Sequence, residues 1–363
     1  MPQSNTAKIA VFTGPRKVDF IYKPLDPPGP NDVRVQTLFS GISHGTEMNV
    51  YRGAAPQWSK RYDPALRLFL PVSPEANVRP SRGYWKPSDT HWDYPLAYGY
   101  QNVGRVVEVG KEVTDLKPDD LVFAYEPHQT MYVAPAAGVI KLPNLKNPAQ
   151  GVVYSNINTA YNGVLDADIR LDDVVVIFGQ GLIGLLVTQF VRRSAARKII
   201  VVDPIVSRRE MALKLGATAA LDPLAGDVAL QVREQTDGRG ADVTIDVTGS
   251  YAALHEAIRA AAPNTTVIAL SWYGGTAEAL NLSEEFHHNR ITIKCSQVAA
   301  VDPDLSATHS VSRRMAHVLE AFDTLEIDAL LTHCLPFSDI SDAYDLVDNR
   351  SADIIQVYLD YAV

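Results

Sequence analysis

The segment Gly179-Gln180-Gly181-Leu182-Ile183-Gly184 constrains the fold of this chain more than any other. It follows a continuous apolar run, Val174 to Phe178, and opens a helical pattern from Leu182 to Arg193. Strand, tight turn and helix in that order give each glycine a separate task. Gly179 permits the turn. Gly181 removes a Cβ so that a ligand can approach the backbone. Gly184 lets the helix pack close to the strand. A second apolar run, Lys198 to Val202, ends at Asp203, 19 residues after Gly184. This is the pattern of a Rossmann βαβ unit, whose helix N-terminus attracts a pyrophosphate. Asp203 is then placed to accept hydrogen bonds from a ribose. Its charge repels a 2′-phosphate, which favours NAD over NADP. Arg208 leaves two readings open: it tolerates that phosphate, or it covers the adenine face.

At 363 residues the chain is long enough for two domains. The first part reads as short strands broken by Pro and Gly, namely Val33–Leu38, Gly104–Gly110, Leu121–Ala124 and Met131–Ala134, which suggests a small barrel. Between Arg52 and Tyr94 no period is visible. That stretch carries Pro56, Pro64, Pro71, Pro74, Pro80 and Pro87 with Trp58, Trp85 and Trp92, and reads either as a pocket lid or as an ordered surface insertion. From Ser155 onward strand and helix alternate. Further strands are expected at Asp242–Val247, Thr265–Leu270 and Ile291–Cys295. Helices are expected at Ser207–Leu215, Gly226–Thr236 and Ala252–Ala261. This order predicts a parallel doubly wound sheet. After it come a helix at Ser310–Asp323 and a strand at Asp353–Leu359.

A net charge of -9 with scattered Lys and Arg disfavours nucleic acid and anionic membranes as partners. There is no apolar run long enough to span a membrane and no secretory leader pattern. Only Cys295 and Cys334 are present, which fits a reducing, cytoplasmic setting and excludes a four-cysteine zinc lobe.

Several further segments carry a resemblance. They are Gly41-Ile42-Ser43-His44-Gly45-Thr46-Glu47, Gly99-Tyr100-Gln101-Asn102-Val103-Gly104, Pro118-Asp119-Asp120-Leu121-Val122 and Asn158-Thr159-Ala160. With the glycine loop they resemble the medium-chain dehydrogenase/reductase superfamily over nearly the whole chain. The Gly-Thr-Glu variant and Phe286-His287-His288-Asn289 are similar to a subgroup that includes bacteriochlorophyllide dehydrogenase and is related to threonine dehydrogenases. The resemblance implies an α/β fold: a GroES-like β-barrel catalytic domain over 1–155 with an insertion near 54–93, a doubly wound Rossmann domain over 156–298, and a return to the catalytic domain over 299–363. It also implies where zinc would sit in metal-dependent members. Those positions here are His44, Tyr100 with Gln101, and Ser155. A catalytic zinc needs three His, Cys, Asp or Glu ligands, and only His44 qualifies. A zinc-independent enzyme is therefore expected, with no metal site.

Without a metal, a side chain must handle the hydroxyl proton and stabilise alkoxide character. Tyr100 and His44 occupy the positions of the metal pocket, Thr46 matches the hydroxyl of the family's proton relay, and Glu47 follows in the same turn. Each has a bland alternative: volume filling for Tyr100, a satisfied core histidine for His44, a brace for Glu47. For the cofactor, the resemblance adds Thr159 near the nicotinamide. Thr248, Ser271 and Tyr273 end successive strands, where an open α/β sheet binds ligands, and Gln297 ends the last strand. His287 and His288 resemble a metal pair, but adjacent positions on a helix point to different sides, and a solvated or capping role is expected instead. His91, His128, His309, His317 and His333 show no companion at ligand spacing. Arg52, Lys60, Arg61, Arg67, Arg79, Arg82 and Lys86 form either an anion site for substrate or a solvated rim.

The expected activity is NAD(H)-dependent interconversion of a polar or medium-sized secondary alcohol and a ketone. The alternatives are a quinone or enoyl reductase using NADPH, and a dinucleotide-binding protein without turnover. A homodimer through the Ile291–Cys295 edge is implied by resemblance, and the remaining partner is a small-molecule substrate.

Overall fold

Val174–Phe178 is buried along its whole length, because it lies inside a six-stranded parallel sheet with neighbours on both sides. The sheet runs Ala219–Leu221, Lys198–Val202, Val174–Phe178, Ala241–Asp246, Ala261–Ala269, Thr292–Cys295. Numbered along the chain, that order is 3-2-1-4-5-6, the doubly wound arrangement expected from the alternation of strands and helices. The strand order reverses between Val174–Phe178 and Ala241–Asp246. The glycine loop leaves the sheet at this switch point. The computed structural model describes residues 5–72, 91–349 and 353–362.

The chain forms two units, 1–154 with 331–363, and 155–330. The core of the second unit joins Val174, Val176 and Phe178 to Ile200 and Val202 on the next strand and to Leu254, Ala257 and Ile258 on a covering helix. The chain returns to the first unit at Leu331, later than the residue 299 expected from sequence. The reason lies in Arg314. It sits on the helix Val311–Ala321, is 1% exposed, and donates to the Asn162 side chain and to the carbonyls of Val298 and Ala300. These bonds tie that helix to the second unit.

The first unit is built around the eleven-residue strand Asp32–Ile42. Asn102–Val109 pairs along it. On the other side, Met131–Pro135 takes residues 32–36 and the tail strand Gln356–Asp360 takes residues 39–42. One strand thus joins Asn102–Val109 and Met131–Pro135 to the returning tail. Val33, Val35, Val106, Val122, Tyr132 and Ala134 fill the core beneath. In the insertion, Lys60–Asp63 and Leu68–Pro71 form a hairpin, where no regular structure was expected. Trp58 stacks on Tyr94 at 4.2 Å and meets Trp92 edge-on. Arg52 pairs with Asp348 at 2.6 Å and Arg61 with Asp63 at 3.3 Å, so neither is an uncommitted anion ligand. Trp85, Arg79, Arg82 and Lys86 lie outside the described residues. Among the described residues no helix is long and apolar enough to cross a membrane.

Candidate active site

In the second unit, Gly179 has φ +91, and a Cβ there would press on the Thr248 methyl at 2.8 Å. At Gly184 a Cβ would overlap the Gly179 carbonyl oxygen. Gly181 is different: a Cβ would meet only Arg208 Nη1, at 3.9 Å. That open side faces the N-terminus of the helix Leu182–Arg192, which has no side-chain cap. Uncapped N–H groups beside an empty Cβ position form a cradle for a phosphate. Leu182 is buried and Ile183 half-buried in the same first turn. The loop therefore fits the pyrophosphate of a dinucleotide.

The loop is held from beneath. Asp203 is 3% exposed and accepts from the Gln180 backbone N–H at 2.7 Å and from Ile205 N–H at 2.8 Å. A carboxylate offers about four acceptor sites, so half its capacity is spent on the backbone. Gln180, expected at the cofactor, turns inward instead: its amide donates to the Gly179 carbonyl at 2.8 Å and accepts from Thr188 at 2.9 Å. Arg208 stands at the open side of Gly181, while Arg209 donates to the Asp203 carbonyl and pairs with Asp222.

The remaining cofactor candidates divide. Thr248 donates from its N–H and hydroxyl to Asp246 Oδ1, and the Tyr273 hydroxyl donates to Asp246 Oδ2. Asp246 is fully buried, and burial pushes its carboxyl pKa up against these bonds. Sequence reading passed over Asp246 because it lies inside the strand Ala241–Asp246 rather than in the turn after it. Thr159 spends its hydroxyl on the Ser155 carbonyl at 3.0 Å. The Gln297 side-chain amide oxygen accepts from Ala299 N–H at 2.6 Å in an exposed turn. Ser271 is half-buried beside Gly249.

In the first unit, the strand Asp32–Ile42 ends at the turn 43–45 and the helix Thr46–Tyr51 begins. Glu47 is fully buried and reaches back to accept from Ser43 N–H at 3.0 Å. Its other oxygen accepts from His128 Nε2 at 2.7 Å and from the Tyr344 hydroxyl. His128 Nδ1 lies 2.6 Å from Ser40 Oγ, which lies 2.8 Å from the Tyr361 hydroxyl. Glu47, expected among the acid–base groups, is thus enclosed and acts as a brace. His128, without a companion at ligand spacing along the sequence, meets Glu47 across 81 residues of chain. A buried carboxylate left without its partner costs about 3–5 kcal/mol, so the three donors belong together.

Tyr100 and Thr46 do come together. The Tyr100 hydroxyl hydrogen-bonds the side chains of Ser43 and Thr46. Burial raises its pKa well above 10.0, Glu47 and Tyr125 add to the rise, and the two hydroxyl contacts oppose it. The resident form is the neutral phenol, a donor. Thr46 and His44 are half-buried. Ser43 was missed because a serine in a turn carries no distinguishing pattern.

This donor set does not fit zinc. Burial holds Tyr100 as a phenol, and Gln101 is buried against Gly41. Among the described residues, no group of three His, Cys, Asp or Glu is placed to hold a metal ion.

Residues 183–313 match the zinc-binding dehydrogenase family. That segment lies within the second unit and contains none of the positions His44, Tyr100, Gln101 or Ser155. D-guloside 3-dehydrogenase of Escherichia coli is 30% identical over 273 residues, 74% of this chain and 75% of that one. An alcohol dehydrogenase of Cupriavidus necator is 25% identical over 372 residues, 96% of this chain and 97% of that one. A structure from Sinorhizobium meliloti, described as a zinc-binding dehydrogenase bound to NADP, superposes with a TM-score of 0.75 at 19% identity, covering 98% of this chain and 99% of that one. With a glycine loop built for a dinucleotide and these relatives, the chain is a dehydrogenase belonging to the medium-chain dehydrogenase/reductase superfamily.

Proposed function

We propose that this enzyme interconverts a secondary alcohol and a ketone by hydride transfer with NAD(H), and that Tyr100 rather than a metal handles the proton. The observation that carries this reading is the Tyr100 hydroxyl, held neutral by burial and contacted by Ser43 and Thr46. The dinucleotide supplies or accepts the hydride. As the substrate oxygen gains negative charge during ketone reduction, the Tyr100 phenol donates to it. Ser43 and Thr46 hydroxyls donate into the phenol oxygen and stabilise the negative charge left on it when its proton transfers to the substrate. Thr46, half-buried, returns a proton to the Tyr100 phenolate after reduction and carries one outward during alcohol oxidation.

The relatives support a polar secondary alcohol: one is named for oxidation at position 3 of a guloside. NAD is favoured over NADP because Asp203, anchored by Gln180 and Ile205, puts a carboxylate beneath the glycine loop. We also propose that two copies pair through the sheet edge Thr292–Cys295, which among the described residues has one neighbouring strand.

The test is a cofactor and substrate panel followed through reduced nicotinamide. Glycosides, polyols and diols are offered with NAD and with NADP, and ketones and enones with the reduced forms. Alcohol oxidation with at least a tenfold preference for NAD, worth about 1.4 kcal/mol, is expected. Asp203→Asn should narrow that preference by removing the charge. Strong NADPH selectivity with reduction of C=C bonds alone would contradict the proposal.

A further inference from the structure

His128 is enclosed at 1% exposure, yet it touches the candidate proton donor's surroundings from two directions. Through Nε2 it holds Glu47 Oε1 at 2.7 Å, and Glu47 Oε2 holds Ser43 N–H at 3.0 Å. Ser43 and Thr46, on either side of that turn, are the residues whose hydroxyls contact Tyr100. The second direction is Gly99, the residue before Tyr100. It has φ +117, and a Cβ there would lie 2.7 Å from His128 Cδ2 and 2.8 Å from Nε2. His128 N–H also donates to the Tyr98 carbonyl at 3.2 Å. The imidazole is therefore wedged between the backbone that carries Tyr100 and the carboxylate that fixes its hydrogen-bonding turn.

The tail completes the wedge. Tyr344, on the helix Ile340–Asp348, donates to Glu47, and Tyr361 reaches Ser40, the residue at His128 Nδ1. Apolar side chains of similar volume commonly stabilise an interior as well as a buried ionic network does. Stability alone gives no reason for this one. Placement of a phenol within a fraction of an ångström does.

We propose that His128 is a positioning residue for Tyr100, acting through Glu47 and Ser43 and through the Gly99 backbone. This rests on the reading of Tyr100 as the proton donor.

The experiment is a double-mutant cycle on the full-length enzyme with its best ketone from the panel and NADH. His128→Ala should lower kcat at least tenfold while KM and the Kd for NADH stay within threefold. His128→Gln keeps a donor at the Nε2 position and should recover most of the loss. In a Tyr100→Phe background, His128→Ala should cost less than twofold more, because residues acting through one group are non-additive. If His128→Ala does not fold, as judged by thermal melting, His128→Asn replaces it in the cycle with the same outcomes. A full tenfold loss in the Tyr100→Phe background, or no loss in the wild-type background, overturns the proposal alone. A Tyr100→Phe enzyme with wild-type kcat removes the parent reading and this one with it.

Discussion

Gly181→Ala leaves the fold intact and weakens dinucleotide binding at least tenfold, whereas Gly184→Ala damages the fold itself. The two substitutions add the same methyl group within one loop. At Gly181 the backbone has φ -74, which any residue adopts, and the new methyl enters open space 3.9 Å from Arg208 Nη1. Its only cost falls on whatever ligand occupies that space. The expected result is a melting temperature within about 1 °C of wild type and a Kd raised at least tenfold, about 1.4 kcal/mol in binding free energy. At Gly184 the methyl would overlap the Gly179 carbonyl, so helix and strand must separate. Overpacking of that kind costs about 1–3 kcal/mol or more. For a unit of this size the melting temperature should fall by roughly 3–10 °C. Thermal melting and NADH titration of both variants check the pair. A Gly181→Ala protein that binds NADH as tightly as wild type would mean that the pyrophosphate does not lie against this turn.

Tyr100→Phe should lower kcat for ketone reduction by about a hundredfold, since general acid–base catalysis contributes roughly 10²–10⁴-fold. KM and the Kd for NADH should change less than threefold, because the ring remains and only the donor is lost. The raised pKa of Tyr100 gives the pH dependence its sign. A phenol held above 10.0 stays protonated across the neutral range, so the wild-type rate of reduction should remain level up to about pH 10. A fall within the neutral range would point to a histidine donor instead, with His44 the candidate. Single-turnover hydride transfer across that range separates the two.

The cofactor unit was legible because its signals are local. A buried run, three glycines and a carboxylate at fixed spacing define a strand, a turn, a helix and the next strand, and the sheet has that order. What the loop does with its own side chain was not legible. Gln180 could face either way, and Thr188, eight positions on, decides it. Thr248 and Tyr273 were read as strand-end ligands, but Asp246 claims both hydroxyls. In the first unit the family pattern points to Tyr100 and Thr46 as candidates, while the residues packed around them are hidden by distance along the chain. His128 lies 81 positions from Glu47, and Tyr344 lies 297. A buried carboxylate selects its partners in space, so no window of sequence around position 47 contains them. The same holds for Arg314, whose bonds to residues 162, 298 and 300 moved the return to the first unit to Leu331.

Metal content and turnover measured on the same sample test the central claim most directly. The protein is purified without added metal, dialysed against a chelator, analysed for zinc, and assayed for single-turnover hydride transfer with the same ketone and NADH. The account predicts less than about 0.1 zinc per chain with an unchanged transfer rate, as expected for a site with one His and no further ligand of the usual kind. One tightly held zinc per chain, with activity lost on its removal and restored on its return, would contradict it.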